Sequence, residues 1–208
     1  MTIIIGLDIS LKSPGIAVSR DDKIYAMYFE QRKHSVPPTT NDKVSLTALP
    51  LLLDASHSDM DRYQQLVAAS VKWLCGMVPN KERASAIVYV EGYAFTRSAY
   101  NYKLHEVTGI LKFMLHQSGF TCQVVPVTTW KRQLTGNAFA DKYQVLQTVN
   151  RRLNVDLAHL LQTKLSPAKP LKGRKRRRGQ NLQVMTRSVP TPLQDVADAI
   201  GIVLSQSK

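Results

Sequence analysis

Cysteine is scarce in this chain. Of 208 residues only Cys75 and Cys122 carry a thiol, which excludes a disulfide framework and a four-cysteine zinc site. Two unpaired thiols in a reducing compartment are the expected state. Long apolar runs are missing as well, none approaching the roughly 18 residues that a membrane span needs. The opening Met-Thr-Ile-Ile-Ile-Gly-Leu-Asp has neither the basic start nor the small-residue cleavage site of a signal peptide, and Asp8 interrupts it. A soluble intracellular protein is therefore expected, in a bacterial cytoplasm or a DNA-containing compartment. Acidic residues are also in deficit: fifteen Asp and Glu stand against 28 Lys and Arg, a net charge of +13. An excess of that size points to a polyanionic partner, nucleic acid before an acidic membrane surface.

What is present is otherwise ordinary. Apolar residues at 44% and charged residues at 21% exclude wholesale disorder and coiled coil. The length suits one core, so a single domain over 1–208 is expected. The basic excess is local. No acid falls between Asp156 and Asp195, and that stretch holds nine basic residues, among them Lys172, Arg174, Lys175, Arg176, Arg177 and Arg178. Mutual repulsion and punctuation by Pro167, Pro170, Gly173 and Gly179 predict a mobile basic loop over about 163–190. Such a loop can grip phosphates, releasing counterions as it does so; a targeting signal has the same composition.

Hydrophobic patterning predicts three leading strands over residues 2–9, 15–19 and 23–30, with turns at Ser13-Pro14-Gly15 and Asp21-Asp22. An irregular insert follows at about 32–58, containing an apolar patch at Leu49–Leu53. Helical periodicity then appears over 59–78, with Ser58 as N-cap. It returns over 98–117, with Leu104, Val107, Leu111, Met114 and Leu115 inward, and over 140–153. Ala86–Val90 and Gln123–Val127 read as further strands. A short turn capped by Thr128 or Thr129 carries Trp130 and Lys131, and Pro192 opens a last helix over 193–204. The fold class is α/β, with strands leading and helices on both faces.

Carboxylates stand where burial makes them costly. Asp8 ends the first apolar strand and Glu91 ends the run Ile87–Val90. Asp195 and Asp198, three apart, share a face of the last helix. Converging acids repel unless a cation lies between them, and Mg²⁺ prefers such oxygen ligands. Two such ions about 4 Å apart clamp the attacking and leaving oxygens of a phosphoryl displacement. A metal-dependent nuclease is one product of this reasoning. The other is structural: Asp8 a turn cap, Glu91 half of an ion pair, Asp195 and Asp198 partners of a helix dipole.

The motifs add a resemblance. Gly6-Leu7-Asp8-Ile9-Ser10 with Pro14-Gly15-Ile16-Ala17, Val90-Glu91-Gly92, and Lys103-Leu104 through Gly109-Ile110 are followed by Val125-Pro126 through Trp130-Lys131. Then come Leu134-Thr135-Gly136, Ala140-Asp141-Lys142 and Asp195-Val196-Ala197-Asp198-Ala199. In this order they resemble the motifs of RuvC-type Holliday junction resolvases. The resemblance implies an RNase H-like fold, a five-stranded mixed sheet flanked by helices. It implies a homodimer that nicks opposed strands of a four-way DNA junction, leaving 5′-phosphate and 3′-hydroxyl ends. Asp8, Glu91, Asp195 and Asp198 would be catalytic metal ligands for two Mg²⁺ ions, with Mn²⁺ substituting. Lys142 would neutralise charge at the scissile phosphate, and Lys131 would be a second basic residue near the DNA.

Some relatives carry an aromatic wedge soon after the second acid; here Tyr93 and Phe95 bracket that position. The 32–58 insert and the Arg-rich run at 172–178 are departures from the bacterial pattern. Rival readings are another RNase H-like nuclease or strand transferase acting on RNA or transposon ends, and a non-catalytic junction-binding protein.

Overall fold

Three antiparallel strands open the chain as their patterning predicts: β1 (Ile4–Asp8), β2 (Gly15–Arg20) and β3 (Lys23–Glu30). The structure, a computed structural model, describes residues 2–11, 14–30, 39–50, 58–92, 99–165, 169–170, 185–186 and 188–207. Between β2 and β3, Asp21 and Asp22 both adopt positive φ, 52° and 58°. That is the two-residue turn whose twist matches the flanking strands, and short polar side chains tolerate it.

Two further strands come from the segment expected to be irregular: β4 (Thr39–Thr40) and β5 (Val44–Pro50). β5 runs parallel to β3 along seven residues, from Ile24 beside Val44 to Glu30 beside Pro50. Its buried positions Val44, Leu46 and Ala48 alternate with more exposed ones, the period-two pattern of a strand packed on one face. Asn41 starts it, its side-chain oxygen accepting the backbone N–H groups of Lys43 and Val44.

On the other edge of β1, β6 (Ile87–Glu91) and β7 (Thr121–Val125) add in parallel. The sheet order is β4-β5-β3-β2-β1-β6-β7. Seven strands therefore replace the expected five. β7 also begins two residues before the expected Gln123. Pro126, which has no N–H to give a ladder, ends it and caps helix α4 (Val127–Thr135) in place of Thr128 or Thr129.

Helices cover both faces. On one lie α1 (Asp59–Met77) and, after the short α2 (Asn80–Arg83), α3 (Ala99–Gln117). Ser58 caps α1 in a reciprocal capping box with Asp61, as expected. Tyr63, Leu66, Leu74, Val107, Leu111 and Leu115 pack on Ile5, Leu7, Ile16, Val18, Val88 and Val90. Met114, expected inward, is 40% exposed, because Leu115 takes the core position beside it.

The opposite face carries α4, α5 (Lys142–Leu153), the short α6 (Leu157–Leu160) and α7 (Leu193–Gln206). α7 is buried continuously from Val196 to Val203, because it lies between the sheet beneath and α4 and α5 above. Within the segment expected to be a loop, β8 (Lys169–Pro170) pairs antiparallel with β9 (Met185–Thr186), and Val189 is buried. Among the described residues no helix is long and apolar enough to cross a membrane.

Candidate active site

Strand parity decides which way the first two acids face. Ile5 and Leu7 of β1 point toward α1 and α3, so Gly6 and Asp8 belong to the α7 face. The same alternation in β6 sends Val88 and Val90 to one side and Tyr89 to the other, with Glu91 following Tyr89. Leu7 pairs with Val90 in the parallel ladder, so Asp8 and Glu91 end neighbouring strands side by side.

Glycines then let α7 come down onto these strand ends. A Cβ at Gly6 would lie 2.3 Å from the carbonyl oxygen of Ala199, and one at Gly15 would lie 2.1 Å from that of Asp195. Gly15 is the residue opposite Asp8 in the β1–β2 ladder. Helix backbone thus rests on strand backbone at the point where the acids stand, and Asp195 and Asp198 are held beside them. Both are buried, at 6% and 7% exposure.

These acids affect one another. The Asp8 carboxyl is raised well above its ordinary range by burial first, then by Glu91, Asp198 and Asp195. Burial and the Asp198 carboxylate push Glu91 up to about 7. Burial likewise raises Asp198 to about 6. Desolvation and like charge both disfavour the ionised form, as expected for acids gathered in a low-dielectric place.

Two lysines work in the other direction. Lys131 and Lys142 both favour the ionised forms of Glu91 and Asp198, and Lys142 does so for Asp8. Lys142 is the first residue of α5, placed there by Asp141, whose side chain makes a capping box with Gln144. Its ammonium donates to the side-chain oxygen of Gln194. Lys131 donates to the carbonyl of Ala140 at 3.0 Å and lies 5.6 Å from the centre of the Trp130 ring.

Sequence reasoning missed two positioning residues. Trp130, fully buried, donates its indole N–H to Glu91 Oε2 at 3.1 Å. Gln194 bridges Lys142 and the side chain of Asp198. Gln194 had a legible signal, since it stands four residues before Asp198 on one helix and so shares its face. Trp130 stood in the Trp130-Lys131 motif, but its bond to Glu91 had no local signal, because that partner is 39 residues away on another element.

Asp8, Glu91, Asp195, Asp198, Lys131 and Lys142 thus come together on one face. Tyr93, Phe95, Lys172 and Arg174 through Arg178 lie outside the described residues. As a donor set, four carboxylates, of which Glu91, Asp195 and Asp198 raise the proton affinity of Asp8 and Asp198 that of Glu91, fit a hard divalent cation, which would relieve that repulsion. Among the described residues, no three such side chains are already gathered at ligating distance. The donor chemistry fits, but the four acids do not stand as a preformed ligand cage.

No family model and no curated protein matches this sequence. Solved structures do. A Thermus thermophilus RuvC structure superimposes with a TM-score of 0.54 at 16% identity, covering 98% of this chain and 92% of that one. T. thermophilus RuvC in complex with Holliday junction substrate gives a TM-score of 0.56 at 14% identity, covering 99% and 92%. With its antiparallel leading strands, its two parallel additions and its buried last helix, the chain has the RNase H-like fold of RuvC along almost its whole length.

Proposed function

We propose that this chain is a structure-selective DNA endonuclease of the RuvC type, resolving four-way junctions by paired symmetric nicks. The observation that carries the reading is the meeting of Asp8, Glu91, Asp195 and Asp198, from three separate elements, with Lys131 and Lys142 facing them. Gathering four acids where two are buried and the others largely desolvated costs stability, and a scaffold has no use for that cost. The resemblance of the ordered motifs, the RuvC fold and the net charge of +13 support the same conclusion.

In this reading the four acids would hold two Mg²⁺ ions, with Mn²⁺ substituting. Such ions would supply an activated water and charge stabilisation at the scissile phosphate, consistent with 5′-phosphate and 3′-hydroxyl ends. Trp130 fixes the rotamer of Glu91 by donating to one carboxylate oxygen and leaving the other available. Lys142, at the mouth of α5, offers its ammonium to a non-bridging phosphate oxygen, with Gln194 as its resting partner. Lys131 is pinned to Ala140 and adds positive field without moving.

Phosphate contacts would read junction shape, and a homodimer would present two equivalent sites to a two-fold substrate. The basic segment around Arg174–Arg178 supplies further phosphate contacts.

The test is cleavage of an end-labelled four-way junction in Mg²⁺, wild type beside Asp198→Asn. Paired symmetric nicks by wild type alone, with junction binding retained in the variant, are expected. Binding by both without cleavage by either would turn the reading toward a junction-binding protein. Cleavage of RNA duplex in place of the junction would turn it toward another RNase H-like nuclease.

A further inference from the structure

The loop joining α4 to α5 runs from Gly136 to Asp141, between the two lysines of the site. Gly136 ends α4 in the left-handed region at φ 80°. Hydrogen bonds tie down most of the backbone after it. Thr135 Oγ1 accepts the backbone N–H of Asn137 at 3.1 Å, and Asn137 Oδ1 accepts that of Phe139 at 3.0 Å. The Asn137 carbonyl accepts the N–H of Ala140, whose own carbonyl is held by Lys131. Ala138 and Ala140 are buried at 8% and 3% exposure.

Between those two buried alanines, Phe139 is 82% exposed, the highest value for a large apolar side chain among the described residues. A loose loop would let such a ring fold back onto apolar surface. This loop is bonded at Asn137, Phe139 and Ala140, so the ring is held out in water. Two residues further on stands the N-cap Asp141, and then Lys142. Nothing in the packing of the fold calls for an aromatic there.

Beside the loop lies an open cleft of about 350 Å³. Its walls are Thr135, Asn137, Gln144, Gln147, Thr148 and Arg151, polar groups with one cation and no carboxylate. A nucleotide beside the loop would find donors and no repulsion there.

We propose that Phe139 is a stacking residue for an unpaired or unstacked base next to the cleaved phosphate. The inference rests on the endonuclease reading and names a DNA contact for that same site. A π-face accepts any base, so the ring would favour strands with an accessible base face, such as those at a branch point, over continuous duplex.

The test compares wild type, Phe139→Leu and Phe139→Trp on a four-way junction and a linear duplex of equal length, in Ca²⁺ to hold cleavage back. A 2-aminopurine is placed in turn at each nucleotide around the branch. Leucine keeps apolar bulk and loses the π-face, and tryptophan keeps it. Stacking predicts that Phe139→Leu binds the junction roughly 5- to 100-fold more weakly, with duplex affinity little changed. It also predicts loss of 2-aminopurine quenching at one position, and retention of both signals by Phe139→Trp. The side chain is exposed, so an unchanged unfolding midpoint checks that each variant is folded. Junction affinity and quenching equal to wild type in Phe139→Leu would overturn the stacking role while leaving the resolvase reading standing. A wild type that does not prefer the junction to the duplex would overturn that reading, and the stacking role with it.

Discussion

Replacing Asp198 with asparagine should stabilise the metal-free protein at neutral pH while abolishing the proposed junction cleavage. Burial raises the Asp198 carboxyl from an ordinary 3.8 to about 6. In the unfolded chain it ionises near its ordinary value. Between those two values the folded state binds more protons, so stability falls as pH rises through this window and stays low above it. Two pH units correspond to about 3 kcal/mol, the penalty carried at pH 8. At this chain length about 1 kcal/mol moves the unfolding midpoint by roughly 2–4 °C. An asparagine still places a polar group at a site only 7% exposed, which offsets part of the gain. We expect a rise of roughly 5 °C for Asp198→Asn in EDTA at pH 8, shrinking steadily toward pH 4, below which wild-type Asp198 becomes protonated in both states. The assay is thermal unfolding followed by circular dichroism across that range. Adding Mg²⁺ should then raise the wild-type midpoint by mass action and move the variant less. A variant less stable than wild type at pH 8 would refute the electrostatic account. A gain that persists unchanged at pH 4 would assign it to packing instead.

Other perturbations probe the neighbours of these acids. Trp130→Phe removes the indole N–H from Glu91 but keeps most of the ring; a bond to a charged acceptor contributes about 1.5–3 kcal/mol. Junction cleavage should fall about 10- to 100-fold with little change in junction affinity, measured by single-turnover kinetics beside a binding assay. Lys142→Met removes a cation that favours ionised Asp8, Glu91 and Asp198. The acid limb of its pH–rate profile should move to higher pH, and its maximal rate should drop on the order of 100-fold. Gly15→Ala drives a Cβ against the Asp195 carbonyl at 2.1 Å and should cost about 3 kcal/mol in urea unfolding, with cleavage lost as α7 shifts. Gly76→Ala, in α1 with open space around it, should instead stabilise by about 0.8 kcal/mol through helix propensity alone.

Local signals made much of this molecule legible before any coordinates. Ile3-Ile4-Ile5, the Asp21-Asp22 turn, the Ser58 cap and the apolar run of the last helix are each decided within a few residues. The structure places them as read. The acids were legible as anomalies, costly side chains at the ends of apolar runs. What escaped depends on non-local facts. β5 carries an alternating Val44-Leu46-Ala48 pattern, but its small and hydroxyl-bearing neighbours, and Pro50 at its end, gave it the composition of a loop. It becomes a strand because β3 offers a free edge along seven residues. Met114 and Leu115 are adjacent on one helix, and only the position of the sheet decides which of them is buried.

The closing of the site has the same origin, and here motif and packing meet. Asp8 and Glu91 are neighbours because β1 and β6 pair in parallel, a relation between segments about 80 residues apart in sequence. Asp195 and Asp198 reach them only because Gly6 and Gly15 carry no Cβ where α7 crosses. The glycines in Gly6-Leu7-Asp8 and Pro14-Gly15 are therefore as much a part of the acidic constellation as the acids. A side chain at either would lift the helix, separate the carboxylates and dissipate their mutual repulsion. The proton affinities of Asp8, Glu91 and Asp198 then report helix docking as well as chemistry. In Gly15→Ala the carboxyl of Glu91 should titrate nearer its ordinary 4.5 than to about 7. Carbon-13 shifts of the Glu91 side chain in the metal-free protein would follow that titration directly. A Glu91 carboxyl still titrating near 7 in a folded Gly15→Ala variant would mean that burial beside Trp130, and not the approach of α7, sets its proton affinity.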